Sequence, residues 1–131
     1  KPITYNVKLT SLDKWYFDKN IKHIDFLKID AEGEELNILE GASYLLENQM
    51  IDIILFEYST AWLCSGRLLK EADTLFKSKP YKVFKLFNNF IAPFQYKTRD
   101  EGSMFSMFVA ISKNKLEDKK IKSIIRNINL F

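Results

Sequence analysis

The sequence is poor in the residues that build disulfides, histidine sites and glycine-rich nucleotide turns. Among 131 residues there are one cysteine, one histidine, four glycines and three prolines. Cys64 has no partner for an internal disulfide, which is typical of a reducing compartment. The single histidine, His23, argues against a histidine-based triad and a histidine-rich metal site. We therefore expect no bound metal.

Long apolar runs are also absent. No run approaches the roughly 18 residues needed to span a membrane, and residues 1–6 lack the apolar core of a signal peptide. With the single cysteine, these absences predict a cytoplasmic protein. The net charge is only +3, and from Lys113 onward there are six Lys/Arg and two acids. The basic charge is thus confined to the end of the chain, and we expect no nucleic-acid partner.

The chain does contain enough apolar residues to form one packed domain. It is 47% hydrophobic and 15% aromatic. Apolar spacing predicts strands at residues 3–9, 24–29, 51–56, 81–87 and 105–112 and helices after Thr10 or Ser11 and at residues 34–46, 67–79 and 117–128. A 17-residue connection, 88–104, precedes the last strand. This order predicts an α/β fold with at least two parallel strands and an antiparallel pair late in the chain.

The last predicted helix, 117–128, has isoleucines at helical spacing and a basic opposite face. Such a helix usually packs against its own domain. Binding to an anionic membrane is the alternative, which we do not favour.

The chain is organised around residues 24–36, which read as a buried strand, an acidic turn and the start of a helix. Asp30 and Glu32 follow the strand, and Gly33 permits a sharp turn. In the helix that follows, the spacing predicts that Glu35 faces solvent, and Gly41 indicates tight packing of this helix on the sheet. Polar turns after strands commonly carry the site in α/β sheets.

Several short motifs in this region resemble the FkbM-like family of S-adenosylmethionine-dependent methyltransferases. That family has a T-L-D element, a strand and turn reading roughly L-K-I-D-x-E-G-x-E, a G-A pair in the next helix and a strand ending in E. The matching residues are Ser11-Leu12-Asp13, residues 27–35, Gly41-Ala42 and Phe56-Glu57. Ser11 stands where the family usually has Thr. The last strand, residues 105–112, also fits the family's closing pattern.

The resemblance implies a Rossmann-like class I O-methyltransferase that uses S-adenosylmethionine and a hydroxyl acceptor, such as a sugar or another small molecule. The family's Gly-rich cofactor turn has no counterpart, since glycines 33, 41, 66 and 102 form no G-x-G. Residues 1–131 therefore resemble the C-terminal half of such an enzyme. The missing N-terminal half, or a partner chain, would pair with strand Ile24–Ile29, and this part alone would be inactive.

The resemblance also assigns candidate roles. Asp30 would lie beside the donor methyl group and, with Glu32, serve the acceptor's deprotonation or orientation. Both acids could instead only complement the helix N-terminus. Glu57 would bind the acceptor, with a Mg²⁺ site among these carboxylates as a weaker alternative. Phe94 and Tyr96 would form an acceptor wall, or else a small core beneath the loop.

The second class of function is a non-catalytic binding or assembly module derived from the same fold. It would have kept the sheet and lost the cofactor half.

Overall fold

The computed structural model describes residues 3–127, and within them the chain forms a five-stranded mixed sheet with flanking helices. The strands are β1 (Ile24–Ile29), β2 (Ile51–Ser59), β3 (Tyr81–Phe87), β4 (Phe90–Pro93) and β5 (Phe105–Ser112), in the sheet order β1-β2-β5-β3-β4. β1 and β2 are parallel, and the other neighbouring pairs are antiparallel. The predicted α/β class is confirmed, with one parallel pair at the β1 end.

Among residues 3–127, six short helices precede, connect or follow the strands. They are α1 (Leu12–Asp18), α2 (Glu35–Glu40), α3 (Ser43–Glu47), α4 (Thr60–Cys64), α5 (Leu69–Lys77) and α6 (Lys119–Ile124). Two 3₁₀ turns, Thr98–Gly102 and Lys115–Glu117, flank β5. Within residues 3–127 no helix is long and apolar enough to cross a membrane.

Four predicted strands are confirmed, but the strand predicted at residues 3–9 is wrong. That segment has no regular structure, and its apolar side chains are exposed, from 77% at Ile3 to 94% at Leu9. Alternation of apolar residues marks a strand only where a neighbouring strand and a core receive it. In the part of the chain described here, this segment pairs with no strand.

Two other element predictions need correction. The connection 88–104 contains a strand, β4, which forms a hairpin with β3. The final helix is shorter than predicted, since α6 covers Lys119–Ile124 and the predicted end, Ile128, lies outside the described residues. Ile121 packs on the sheet, so this helix belongs to its own domain as expected.

The main core lies on one face of the sheet, beneath α2 to α5. Its centre is aromatic: Phe56 stacks on Phe76 and on Phe108, at 5.7 Å and 5.6 Å between ring centroids. Trp62 of α4 is fully buried beside them. A smaller cluster on the opposite face contains Val109 and Ile111, with Ile121 packed against it. Alternate residues of β5 thus serve two separate cores, as expected for a strand covered on both faces.

The helix predicted to run from Glu34 to Leu46 is divided at Gly41-Ala42. The carboxylate of Asp13 accepts hydrogen bonds from the backbone amides of Tyr44 (2.9 Å) and Leu45 (3.1 Å), which caps the first turn of α3. The amide of Asp13 also donates to the carbonyl of Gly41. Gly41 itself contacts the segment that starts α1, since a Cβ there would lie 3.4 Å from Ser11 Cβ, while Leu36 and Leu39 of α2 are buried in the core as expected of a helix packed on the sheet.

Candidate active site

Asp30, the residue after β1, lies beside Glu57 of the neighbouring strand β2. β1 and β2 are parallel, and Ile29 pairs with Phe56, so the next residue of each strand reaches the same edge of the sheet. Burial raises the pKa of Glu57, and the charges of Asp30, Glu32 and Glu35 raise it further, against a hydrogen bond from Ser59 that lowers it. The sequence-predicted carboxylates therefore share one electrostatic environment.

Lys28 provides the positive charge at this edge. Its Nζ lies 2.7 Å from Oδ2 of Asp30, and both side chains are exposed. The hydrogen bond to Asp30 and the charges of Asp30 and Glu57 raise the pKa of Lys28, while desolvation lowers it. Lys28 thus partly offsets the repulsion between the carboxylates.

The acidic turn is held by a residue that the helical pattern placed on the outside. Glu35 is 1% exposed, and its carboxylate accepts hydrogen bonds from the amides of Ala31 (2.7 Å) and Gly33 (2.9 Å). The predicted outward orientation of Glu35 is therefore wrong. The sequence did contain a signal, because an acid in the first turn of a helix is well placed to accept from free amides.

Gly33 permits this turn to approach α4 closely. Its φ is +105°, and a Cβ there would lie 2.6 Å from Ser65 Oγ and 2.7 Å from the carbonyl oxygen of Ala61. Glu32 also has a positive φ, +52°, and its side chain is exposed. The turn thus directs Glu32 to solvent while Gly33 is packed beneath it.

Phe94 contacts the main core, and Tyr96 contacts Glu101. The Phe94 ring meets Phe108 edge-on at 4.7 Å between centroids. Tyr96 hydrogen-bonds the carboxylate of Glu101. These are the contacts of the small core beneath the loop, the alternative given above. Binding of the acceptor by Phe94 and Tyr96 stays a prediction.

Glu101 connects this loop to α5. It accepts hydrogen bonds from the Tyr58 hydroxyl (2.7 Å) and from the amides of Leu69 and Lys70 (3.0 Å each). Burial alone would raise the pKa of Glu101, but these bonds and that of Tyr96 lower it below its usual value. Burial and the bond to Glu101 raise the pKa of Tyr58, which keeps its hydroxyl a donor.

An open groove of about 720 Å³ adjoins the carboxylate edge and was not foreseen from the sequence. It is lined by aromatic and apolar side chains with a few polar ones, among them Phe87, Phe90, Phe105, Met107, Asn88 and Asn89. Met107 is the cross-strand partner of Glu57, so both side chains lie on one face of the sheet. Phe87 and Phe90 stack at 4.8 Å. The groove therefore begins one strand away from Glu57.

A second cavity, of about 630 Å³, lies between the start of α1 and the helix α2 that follows the acidic turn. Its lining includes Ser11, Trp15, Glu34, Asn37 and Gly41, from the start of α1 and from α2.

Comparison with known families identifies the class of protein. The family model described as the methyltransferase FkbM domain matches residues 2–83, more than half of the 131 residues. The chain therefore belongs to the FkbM methyltransferase domain family, as its motifs indicated. No curated protein and no solved structure matches it. The matched range contains Asp13, the acidic turn and Glu57, whereas β4, β5 and all residues that line the groove follow it.

Proposed function

We propose that this domain is part of an S-adenosylmethionine-dependent O-methyltransferase that acts on a hydroxyl group of a sugar or another small molecule. The observation that carries the proposal is the place where Asp30, directly after β1, lies beside Glu57 of the parallel strand β2. The family supports methyl transfer. The cofactor, the oxygen acceptor and its class are our inference.

At this edge the carboxylates would receive the acceptor's proton. When bound, S-adenosylmethionine would supply the methyl group. Asp30, hydrogen-bonded to Lys28, would accept or orient the hydroxyl proton, and Glu32 would assist from the turn. Glu57, whose pKa is raised, is a stronger base than an ordinary carboxylate and would hold the acceptor. Most of the rate enhancement would come from alignment of the hydroxyl oxygen.

The groove beside Glu57 supplies the acceptor wall in this proposal. Pockets for small molecules combine apolar and aromatic walls with a few polar groups. The stacked pair Phe87 and Phe90 offers a ring face, and Asn88 and Asn89 offer amide groups for hydroxyls. Phe94, in contrast, packs on Phe108 of the main core.

We further propose that the cofactor-binding half comes from outside these 131 residues or from a partner chain, at the edge of β1. Within the described residues β1 has a neighbour on one side only, and Phe26 on it is 55% exposed. An unpaired apolar edge strand favours strand addition. The chain has no Gly-rich turn for the cofactor.

The same lack of a Gly-rich turn favours the second candidate, a non-catalytic binding module of this fold. The two candidates differ in one measurement. The enzyme transfers labelled methyl groups from S-adenosylmethionine to a hydroxyl acceptor once the cofactor half is supplied, and the module does not.

The test compares Asp30→Asn with a matched control, Glu47→Gln, whose exposed carboxylate stands at the end of α3 and pairs with Lys79. Loss of a general base lowers turnover by about 10²–10⁴. We expect Asp30→Asn to lose turnover in this range and to keep its far-UV spectrum. Unchanged turnover would remove Asp30 from the site. Tight binding of S-adenosylmethionine to residues 1–131 alone, measured by calorimetry, would overturn the proposal that the cofactor half lies elsewhere.

A further inference from the structure

Three metal-ligating side chains meet at the edge of the sheet opposite the acidic turn. They are His23, just before β1, Asp25 in β1 and Asp52 in β2. One ligand atom of each lies within 4.8 Å of the other two. The register explains the meeting, since Ile24 pairs with Ile51 and Phe26 with Ile53, which sets Asp25 opposite Asp52.

The charges at this place favour a cation. Carboxylates directly opposite each other on neighbouring strands repel and destabilise the pair. The Nζ of Lys115 lies 3.3 Å from Oδ2 of Asp52 and offsets one of the two negative charges. With a neutral imidazole, the group of two carboxylates and one ammonium has a net negative charge. A divalent cation would remove the repulsion.

The spacing of the donor atoms fits a transition-metal ion. Nε2 of His23 lies 3.1 Å from Oδ1 of Asp52, and two ligands of a tetrahedral zinc ion lie about 3.3 Å apart when each bond is about 2.0 Å. One nitrogen and two carboxylate oxygens form a donor set that suits Zn²⁺. Lys115 bonds the other oxygen of Asp52, so it orients this carboxylate without occupying Oδ1.

We propose that His23, Asp25 and Asp52 form a zinc site with one or more positions left for water. The ion would join the segment before β1 to β2 and so secure β1 at its N-terminal end. This proposal departs from the expectation of no metal, because three residues spread over 30 positions come together only through strand pairing.

The test uses the untagged 131-residue protein, because an affinity tag would add histidines. Zn²⁺ is titrated by calorimetry, and Co²⁺ serves as a spectroscopic probe. We expect one ion per chain with a Kd below about 10 μM. The visible absorption of Co²⁺ should show nitrogen and oxygen ligands in a low-coordinate site. Zinc should also raise the Tm, since it binds the folded state.

His23→Ala and Asp25→Asn remove one ligand each and should weaken binding at least tenfold. Asp18→Asn, on exposed α1, is the matched control and should bind zinc as the parent does. Far-UV circular dichroism without metal checks that each variant is folded. No saturable binding by the parent, or equal binding by His23→Ala, would show an ion pair only and would overturn the proposal. Preference for Mg²⁺ over Zn²⁺ would do the same.

Discussion

Glu35 accepts a hydrogen bond from the amide of Gly33, two residues earlier, at 2.9 Å between Oε2 and N. Its other oxygen accepts from the amide of Ala31. The carboxylate thus closes the turn between β1 and α2 from the inside. The site acids Asp30 and Glu32 belong to the backbone that this carboxylate holds, so their positions depend on a residue that faces away from the solvent.

Replacing Glu35 by alanine should destabilise the domain by about 2 kcal/mol or more, because it leaves two amides without an acceptor in a buried place. Glu47→Ala, at an exposed position of α3, is the control and should change stability by less than about 0.5 kcal/mol. Urea unfolding of both variants measures the difference. Equal stability of the two would contradict the role assigned to Glu35.

The glycines offer a graded test of the turn. Gly33→Ala meets both a positive φ and atoms of Ser65 and Ala61, Gly66→Ala meets only a positive φ of +72°, and Gly102→Ala meets neither. We expect a cost of about 1–2 kcal/mol for Gly66→Ala and a further 1–3 kcal/mol, roughly, for Gly33→Ala. Gly102→Ala should be close to neutral. Thermal unfolding that ranks Gly66→Ala as the most damaging would refute the close approach of Gly33 to α4.

Asp13 should contribute a helix cap across the α2–α3 break. Asp13→Ala removes the acceptor of the amides of Tyr44 and Leu45, and loss of such a cap costs about 1 kcal/mol. Asp18→Ala, which breaks only the exposed ion pair with Lys14, should cost less than about 0.5 kcal/mol. Chemical denaturation compares them. A larger loss for Asp18→Ala would be inconsistent with the cap.

Glu57 and Glu101 should affect stability with opposite signs. The pKa of Glu57 is raised in the folded state, so its ionisation opposes folding above that pKa, and the penalty vanishes as the pH falls below the usual value of 4.5. Glu57→Gln should therefore stabilise the domain at pH 7 and not at pH 4. The same variant should lose activity, if Glu57 binds the acceptor.

The pKa of Glu101 is lowered, so its ionised form favours folding. That contribution is fully present above the usual value of 4.5 and is lost as the pH falls through the folded pKa. Glu101→Gln should destabilise the domain at pH 7, and the difference should shrink at low pH. Unfolding curves from pH 3 to pH 8 measure both variants. Shifts of the same sign at pH 7 would contradict this assignment.

The local spacing of apolar residues was sufficient to predict most strands of the sheet. β1, β3 and β5 begin and end where apolar spacing predicted, because each supplies a side-chain pattern that a core can bury. The same kind of pattern failed at residues 3–9. Those residues alternate equally well, but among the described residues they have no neighbouring strand, and their side chains remain in solvent.

The candidate site also has one part that could be predicted from the sequence and one part that could not. The acids Asp30, Glu32 and Glu57 could be placed at one edge because parallel strands present their carboxyl ends together. The groove with Phe87 and Phe105 could not be foreseen, since these residues come to line one groove only through the pairing of β3 with β5 and the hairpin to β4.

The sequence by itself determined the family, the α/β class and the acidic turn between β1 and α2, because these depend on short motifs and on local periodicity. Only the tertiary structure decided which acid at that turn is buried and which is exposed. Glu35 is buried against two amides, whereas Asp30 is exposed beside Lys28. The burial of these side chains, the register of the strands and the close approach of Gly33 to α4 depend on residues far apart in the chain. The local spacing of residues therefore does not predict them.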